Sequence, residues 1–104
     1  MHTHKLSQEV EVTGIDKKEI YNNGTFESLI VAVKKGVVVP AQPAPAHAGL
    51  YLISGKIEFE ISGLKTCVEA DDFFSFSEGE LHAIKALEDS KFLISRNTIE
   101  KVQA

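Results

Sequence analysis

The sequence predicts an all-β protein built from about 8–10 short strands in one domain. Three observations lead to this prediction. Apolar and polar residues alternate with a period of two in several segments, which is typical of strands with one buried face. Other segments are continuous apolar runs rich in β-branched residues, as in strands covered on both faces. Turn-forming residues separate the segments roughly every 8–12 residues, the spacing of an antiparallel sandwich or barrel.

The strand segments can be assigned in order along the chain. The first is predicted at residues 9–13, where valines alternate with glutamates and a strand would pack at a sheet edge. A single helical turn is expected at residues 16–21, with Asp16 as its N-cap. Further strands are predicted at residues 29–33, 37–39, 50–53, 56–61, 73–76, 82–86 and 92–94. Because proline cannot donate a ladder hydrogen bond, Pro40, Pro43 and Pro45 predict a loop at one end of the barrel.

Length and composition favour one ordinary domain that spans residues 1–104. The chain has 104 residues, of which 43% are hydrophobic and 25% are charged. This composition is close to the average of soluble globular proteins, and the length leaves no room for a second core. We therefore expect neither disorder nor a membrane protein.

The charge balance and the cysteine content restrict the partners and the compartment. The net charge is −4, from 11 basic and 15 acidic residues, and no segment concentrates the basic ones. Nucleic acid is not expected as a partner, because phosphate binding requires a basic surface. The sequence predicts no membrane span and no signal peptide, and Cys67 has no second cysteine to pair with. A cytoplasmic location is the expectation.

A first motif lies between Gly36 and Gly55. Gly36 is followed after five residues by Gln42, then by Ala44 and Ala48, and finally by Gly55. This spacing resembles the first motif of the cupin family, in which the two glycines enclose two histidines and a glutamate. Both glycines are in place, whereas Gln42, Ala44 and Ala48 stand where the family has its metal ligands.

The second cupin motif is matched in part. Its five marked positions are occupied by Asp71, Ser77, Gly79, His82 and Ala86, where the family has Gly, Pro, Gly, His and often Asn. Gly79 and His82 match, and His82 stands at a position that usually binds metal in the family.

This resemblance covers residues 29–96 and implies a small RmlC-like cupin, a double-stranded β-helix or jelly-roll barrel. It also implies a degenerate metal site, because a transition metal needs about three converging ligands. Alanine offers no lone pair and Gln42 only a weak amide oxygen, so no cofactor is favoured. Since small cupins commonly pair through strand edges, a homodimer is expected.

His82 is the main candidate functional residue and the one candidate for catalysis. Lys85 is most stable in solvent, so strand alternation places His82 and Ile84 inside. There, His82 would be either a hydrogen-bonded structural histidine or a group that binds metal, transfers a proton or contacts a ligand.

Two other side chains could assist His82. His47 precedes the family's glutamate position by one residue, so alternation turns it outward unless a bulge reverses it. Gln42 stands at an inward position of the family and could hydrogen-bond a ligand or His82 itself.

Three functions remain open from the sequence. The favoured one is binding of a small molecule inside the barrel. The predicted ligand-binding residues are His82, Gln42, Leu50, Leu52, Phe74 and Phe76. The alternative is a dioxygenase or isomerase that uses Fe, Mn, Ni or Zn, held by His82 with His47 or Gln42. A structural or partner-binding role is the third, because a fold does not determine a function.

Overall fold

A computed structural model describes residues 1–98, which form nine β-strands and one short 3-10 turn, Leu6–Gln8. In chain order the strands are β1 (Ile15–Asn22), β2 (Phe26–Val33), β3 (Val38–Pro43), β4 (Ala48–Ser54), β5 (Lys56–Ile61), β6 (Leu64–Glu69), β7 (Phe73–Phe76), β8 (Leu81–Ala86) and β9 (Ser90–Asn97). The predicted all-β class and strand number are confirmed. Within residues 1–98, no helix is long and apolar enough to cross a membrane.

The strands form two antiparallel sheets that face each other. One has the order β1-β2-β9-β4-β7 and the other β3-β8-β5-β6. Strands distant in sequence are therefore neighbours, as β2 with β9 and β3 with β8, which is the connectivity of a jelly roll. The ring centroids of Phe59 on β5 and Phe74 on β7 lie 4.4 Å apart, so the inner faces of the two sheets are in contact.

The N-terminal prediction is wrong in two respects. Residues 9–13 contain no strand, and residues 16–21, predicted as a helical turn, belong to β1. The side chain of Asp16 does not cap a helix. Its carboxylate accepts hydrogen bonds from the backbone N–H of Thr13 at 2.8 Å and of Gly14 at 3.1 Å, which fixes the turn before β1. Pairing of β1 with β2 then overrides the weak local preference.

The proline-rich loop begins later than predicted. Strand β3 extends to Pro43 and includes Pro40, although its register with β8 shifts between Val39 and Gln42. Because β3 is the edge of its sheet, a proline there removes no ladder hydrogen bond from a second neighbour. The irregular register is the kind of place where edge strands accommodate such residues.

One region of the core lies between β4 and β7 of one sheet and β5 and β6 of the other. We call this the packed half, defined by Leu50, Leu52, Ile57, Phe59 and Val68. The first three of these side chains are 0% exposed, Phe59 is 3% exposed and Val68 is 5% exposed. The other half, between β1, β2 and β9 on one side and β3 and β8 on the other, contains the candidate site.

Candidate ligand-binding site

His82 faces the interior, as strand alternation predicts. On β8 the side chains of His82, Ile84 and Ala86 are buried, and His82 is 9% exposed. Its imidazole packs against Phe76 and Phe59, with ring centroids 5.0 Å and 5.9 Å away. The buried Nδ1 atom has no hydrogen-bond partner within residues 1–98. The ring is thus held by aromatic packing and keeps unused hydrogen-bonding capacity.

A cavity of about 180 Å³ lies beside His82 between the two sheets. Its wall is mainly apolar, and the apolar side chains come from both sheets. They include Leu29, Val31, Phe92 and Ile94 from the larger sheet and Val39 and Ile84 from the smaller one. We call this region the open half of the sandwich, defined by the residues that line this cavity.

Two polar side chains of the wall were predicted from the sequence, and the structure brings them together. Gln42 on β3 lies opposite His82 on β8 in the strand register. Both side chains line the cavity. Because β3 is an edge strand, Gln42 remains exposed to solvent on one side, whereas His82 is buried. The pair therefore spans the wall from the interior to the surface.

Two charged side chains of the wall were not predicted. Arg96 on β9 and Lys17 on β1 both line the cavity. The Arg96 guanidinium lies 3.5 Å from a carboxylate oxygen of Glu27, its neighbour on β2, and the Arg96 Nε is buried with no partner within residues 1–98. Alternation from Phe92 through Ile94 places residue 96 inside, so the inward orientation of Arg96 could have been predicted from the sequence. Lys17 was missed because its segment was predicted as helical.

The remaining predicted lining residues are divided by the structure. Phe76 lines the cavity. Leu50 and Leu52 are fully buried in the packed half and do not line it. Phe74 lies on a separate groove between the edge strands β6 and β7. Of the apolar residues predicted for the site, only Phe76 reaches the cavity beside His82.

His47 lies away from His82. Its side chain is exposed, and its Nδ1 accepts a hydrogen bond from the backbone N–H of Glu78 at 3.2 Å. It borders an outer groove, together with Ser75 and Asn97, and does not line the cavity. The regular alternation at the start of β4 turns Ala48 inward and leaves His47 outside.

The residues present do not fit a cupin metal centre. Ala44 and Ala48, at two of the family's ligand positions, are buried and carry only methyl groups. Within the described part of the chain, no three His, Cys, Asp or Glu side chains come together to hold a metal ion. His82 and Gln42 would supply one imidazole and one weak amide oxygen, fewer than the three ligands that such a site needs.

Solved structures share this arrangement of strands. An RmlC-like cupin from Desulfovibrio desulfuricans matches with a TM-score of 0.82 at 16% identity, covering 93% of this chain and 96% of that chain. This chain has the cupin fold. A second similar structure is the conserved protein SPY1581 of unknown function from Streptococcus pyogenes, with a TM-score of 0.84 and 20% identity, covering 96% of this chain and 90% of that chain.

A third similar structure is an enzyme. DMSP lyase DddQ from Ruegeria pomeroyi matches with a TM-score of 0.75 at 15% identity, over 86% of this chain and 50% of that chain. No family model and no curated protein matches the sequence. At these identities the structural similarity establishes the cupin fold and nothing about the reaction.

Proposed function

We propose that this cupin binds a small molecule in the interior cavity without a resident metal ion. The observation that supports the proposal is a cavity of about 180 Å³ with His82 in a mainly apolar wall. An apolar cavity of about 150 Å³ in another protein is large enough to bind benzene. Binding sites for small molecules usually combine such apolar walls with a few polar groups that orient the ligand.

His82 and Gln42 are the groups that would orient the ligand. An imidazole can donate from one nitrogen and accept at the other, and a glutamine amide both donates and accepts. Since they face each other across β3 and β8, a ligand in the cavity can contact both. Packing of His82 against Phe59 and Phe76 keeps the imidazole in place before the ligand binds.

The proposal is tested by a thermal-shift screen of small metabolites with six to twelve non-hydrogen atoms, a range of about one to two times the size of benzene. We expect some compounds to raise the melting temperature of the native chain and to lose this effect in His82→Ala. The matched control is His47→Ala, which removes an imidazole outside the cavity and should keep the response. Equal responses in both variants would reject the cavity as the binding site.

The alternative function is a metal-dependent dioxygenase or isomerase that uses His82 with Gln42 or His47. It requires an imidazole at the cavity wall, which His82 supplies. Metal analysis of protein purified without an affinity tag separates the two functions. Near-stoichiometric iron, manganese, nickel or zinc that disappears in His82→Ala would favour the alternative and overturn binding without a metal.

We also propose that the chain forms a homodimer through the outer edge of β1. This strand is an edge of the larger sheet, and exposed edges of this kind are commonly covered by pairing. Tyr21 and Phe26 lie beside it and are 52% and 41% exposed. Sedimentation analysis should give a dimer that Tyr21→Lys dissociates, and a monomeric native chain would reject this arrangement.

A further inference from the structure

Arg96 lines the cavity, and within residues 1–98 most of its hydrogen-bonding capacity is unused. A guanidinium carries five N–H donors in a planar fork. Within residues 1–98 its side chain has one polar contact, the long one of 3.5 Å to Glu27, and its Nε is buried without a partner. A buried donor without an acceptor is costly, so a partner from outside the chain would be stabilising.

The charges around the cavity are of one sign. Lys17 and Arg96 line it, and no carboxylate from the described residues does. Glu27 lies beside Arg96 but is not part of the wall. The Arg96 side chain is 22% exposed and lies 3.5 Å from one Glu27 oxygen, so its charge is partly screened from water and partly balanced. A guanidinium in such a place attracts an anion more strongly than it would in bulk solvent.

From these observations we propose that the ligand is a small carboxylate with an apolar body, and that Arg96 binds its carboxylate. This inference rests on the proposed function and names the class of ligand. The guanidinium fork matches the two oxygens of a carboxylate and can donate two parallel hydrogen bonds to them.

The position of Arg96 fixes the orientation of the ligand. Its side chain lines both the interior cavity and the outer groove that contains Ser95 and Asn97. Arg96 therefore lies at the boundary between the two spaces. A carboxylate bound there leaves the rest of the ligand against Leu29 and Ile94, which continue the wall inward.

The test compares benzoate with benzyl alcohol, a neutral compound of similar size, by titration calorimetry at constant ionic strength. Methyl NMR shifts of Val31 and Ile94 report whether each compound is in the cavity. We expect benzoate to bind about ten- to a hundredfold more tightly, as for hydrogen bonds to charged groups. Paired replacement, Glu27→Gln with Arg96→Gln, removes the guanidinium without leaving the Glu27 carboxylate facing a neutral side chain.

The paired variant should bind benzyl alcohol as the native chain does and lose its preference for benzoate. Glu27→Gln alone is the matched control and should keep the preference. If both compounds bind equally well to the native chain, or if the paired variant keeps the preference, Arg96 is not the anchor and the cavity function stands. If neither compound shifts the Val31 and Ile94 methyls, this inference and the proposed cavity function both fail.

Discussion

The packed half and the open half of the sandwich belong to the same two sheets but contain side chains of different volume. In the packed half, Leu52, Ile57 and Phe59 fill the space between the sheets and are almost fully buried. In the open half, Ala46 and Ala48 face the space that the cavity occupies. Small side chains at these two positions therefore leave a space between the sheets, whereas larger side chains fill the corresponding space in the packed half.

The difference has an energetic consequence. Protein interiors are packed as densely as organic crystals, so each missing methylene leaves contacts unmade unless the neighbours move. The packed half should therefore dominate the stability of the fold. The open half has fewer packing contacts because it contains the cavity. Substitutions there should therefore change ligand binding more than stability.

The largest expected effect is that of Leu52→Ala in the packed half. Removing this fully buried side chain should lower the free energy of unfolding by about 2–5 kcal/mol, through lost burial and a new void. Val39→Ala, at the wall of the existing cavity, should cost about 1 kcal/mol or less because Val39 is only partly buried. Urea denaturation measures both. Equal losses would show that the two halves are packed alike.

A second contrast concerns two glycines with positive φ in the turns on either side of β5. Gly55 and Gly63 have φ of 90° and 85°. A Cβ on Gly55 would lie 2.3 Å from the carbonyl oxygen of Asp89, whereas a Cβ on Gly63 would meet nothing within 4 Å. Gly63→Ala should cost about 1 kcal/mol, for the backbone conformation alone. Gly55→Ala should cost about 3 kcal/mol or more, because backbone must also shift.

Thermal denaturation of the two glycine variants checks this contrast. Gly55 is also the closing glycine of the motif that resembles the first cupin motif, so the result tests whether the turn after β4 requires glycine for steric reasons. A similar small loss in both variants would mean that the approach to Asp89 relaxes at little cost.

Adding side-chain volume should also destabilise the packed half more than the open half. Ala86 is 1% exposed, does not line the cavity and pairs with Ile57 of the packed half, so Ala86→Val should lower stability by about 1–3 kcal/mol through overpacking. Ala46→Val adds the same two methyl groups at the cavity wall and should change stability by less than about 0.5 kcal/mol. It should weaken benzyl alcohol binding, measured by the same calorimetry. A large destabilisation by Ala46→Val would argue that the cavity is closed in solution.

Strand alternation explains what the sequence could predict about the site. On β8 the exposed Lys85 fixes the phase, so His82 is correctly placed inside from sequence alone. The same rule correctly leaves His47 outside. The prediction for His82 succeeds because β8 follows a regular ladder with β5. The prediction for His47 succeeds because the start of β4 pairs regularly with β7.

The parts that sequence reasoning missed depend on long-range pairing. Residues 16–21 have no strong local preference, and they become a strand through pairing with β2. The extent of β3 through Pro43 depends on its edge position, which the sequence does not reveal. Leu50 and Leu52 alternate inward as expected. Whether an inward residue lines the cavity depends on the side chains of the opposite sheet, which the local sequence does not reveal.

The smallest expected effect concerns the stability of the turn before β1, at the border of the open half. The Thr13 backbone N–H, and then the Thr13 hydroxyl, hold the pKa of Asp16 below its ordinary value of 3.8. Ile15 and Lys17, on either side of Asp16, line the cavity. The stability that Asp16 contributes is therefore complete above pH 3.8 and is lost as the pH falls through the lower pKa of the folded chain.

Asp16→Asn should thus lower the melting temperature slightly at pH 7 and make no difference once the native carboxyl is protonated. The control is Glu60→Gln, a carboxyl on β5 in the smaller sheet. Amide exchange at pH 7 should be faster at residues 15–17 in Asp16→Asn and unchanged in β5, because the turn before β1 is weakened while the packed half is untouched. Faster exchange throughout both sheets would show that the two halves open as one cooperative unit and that the turn before β1 does not open independently.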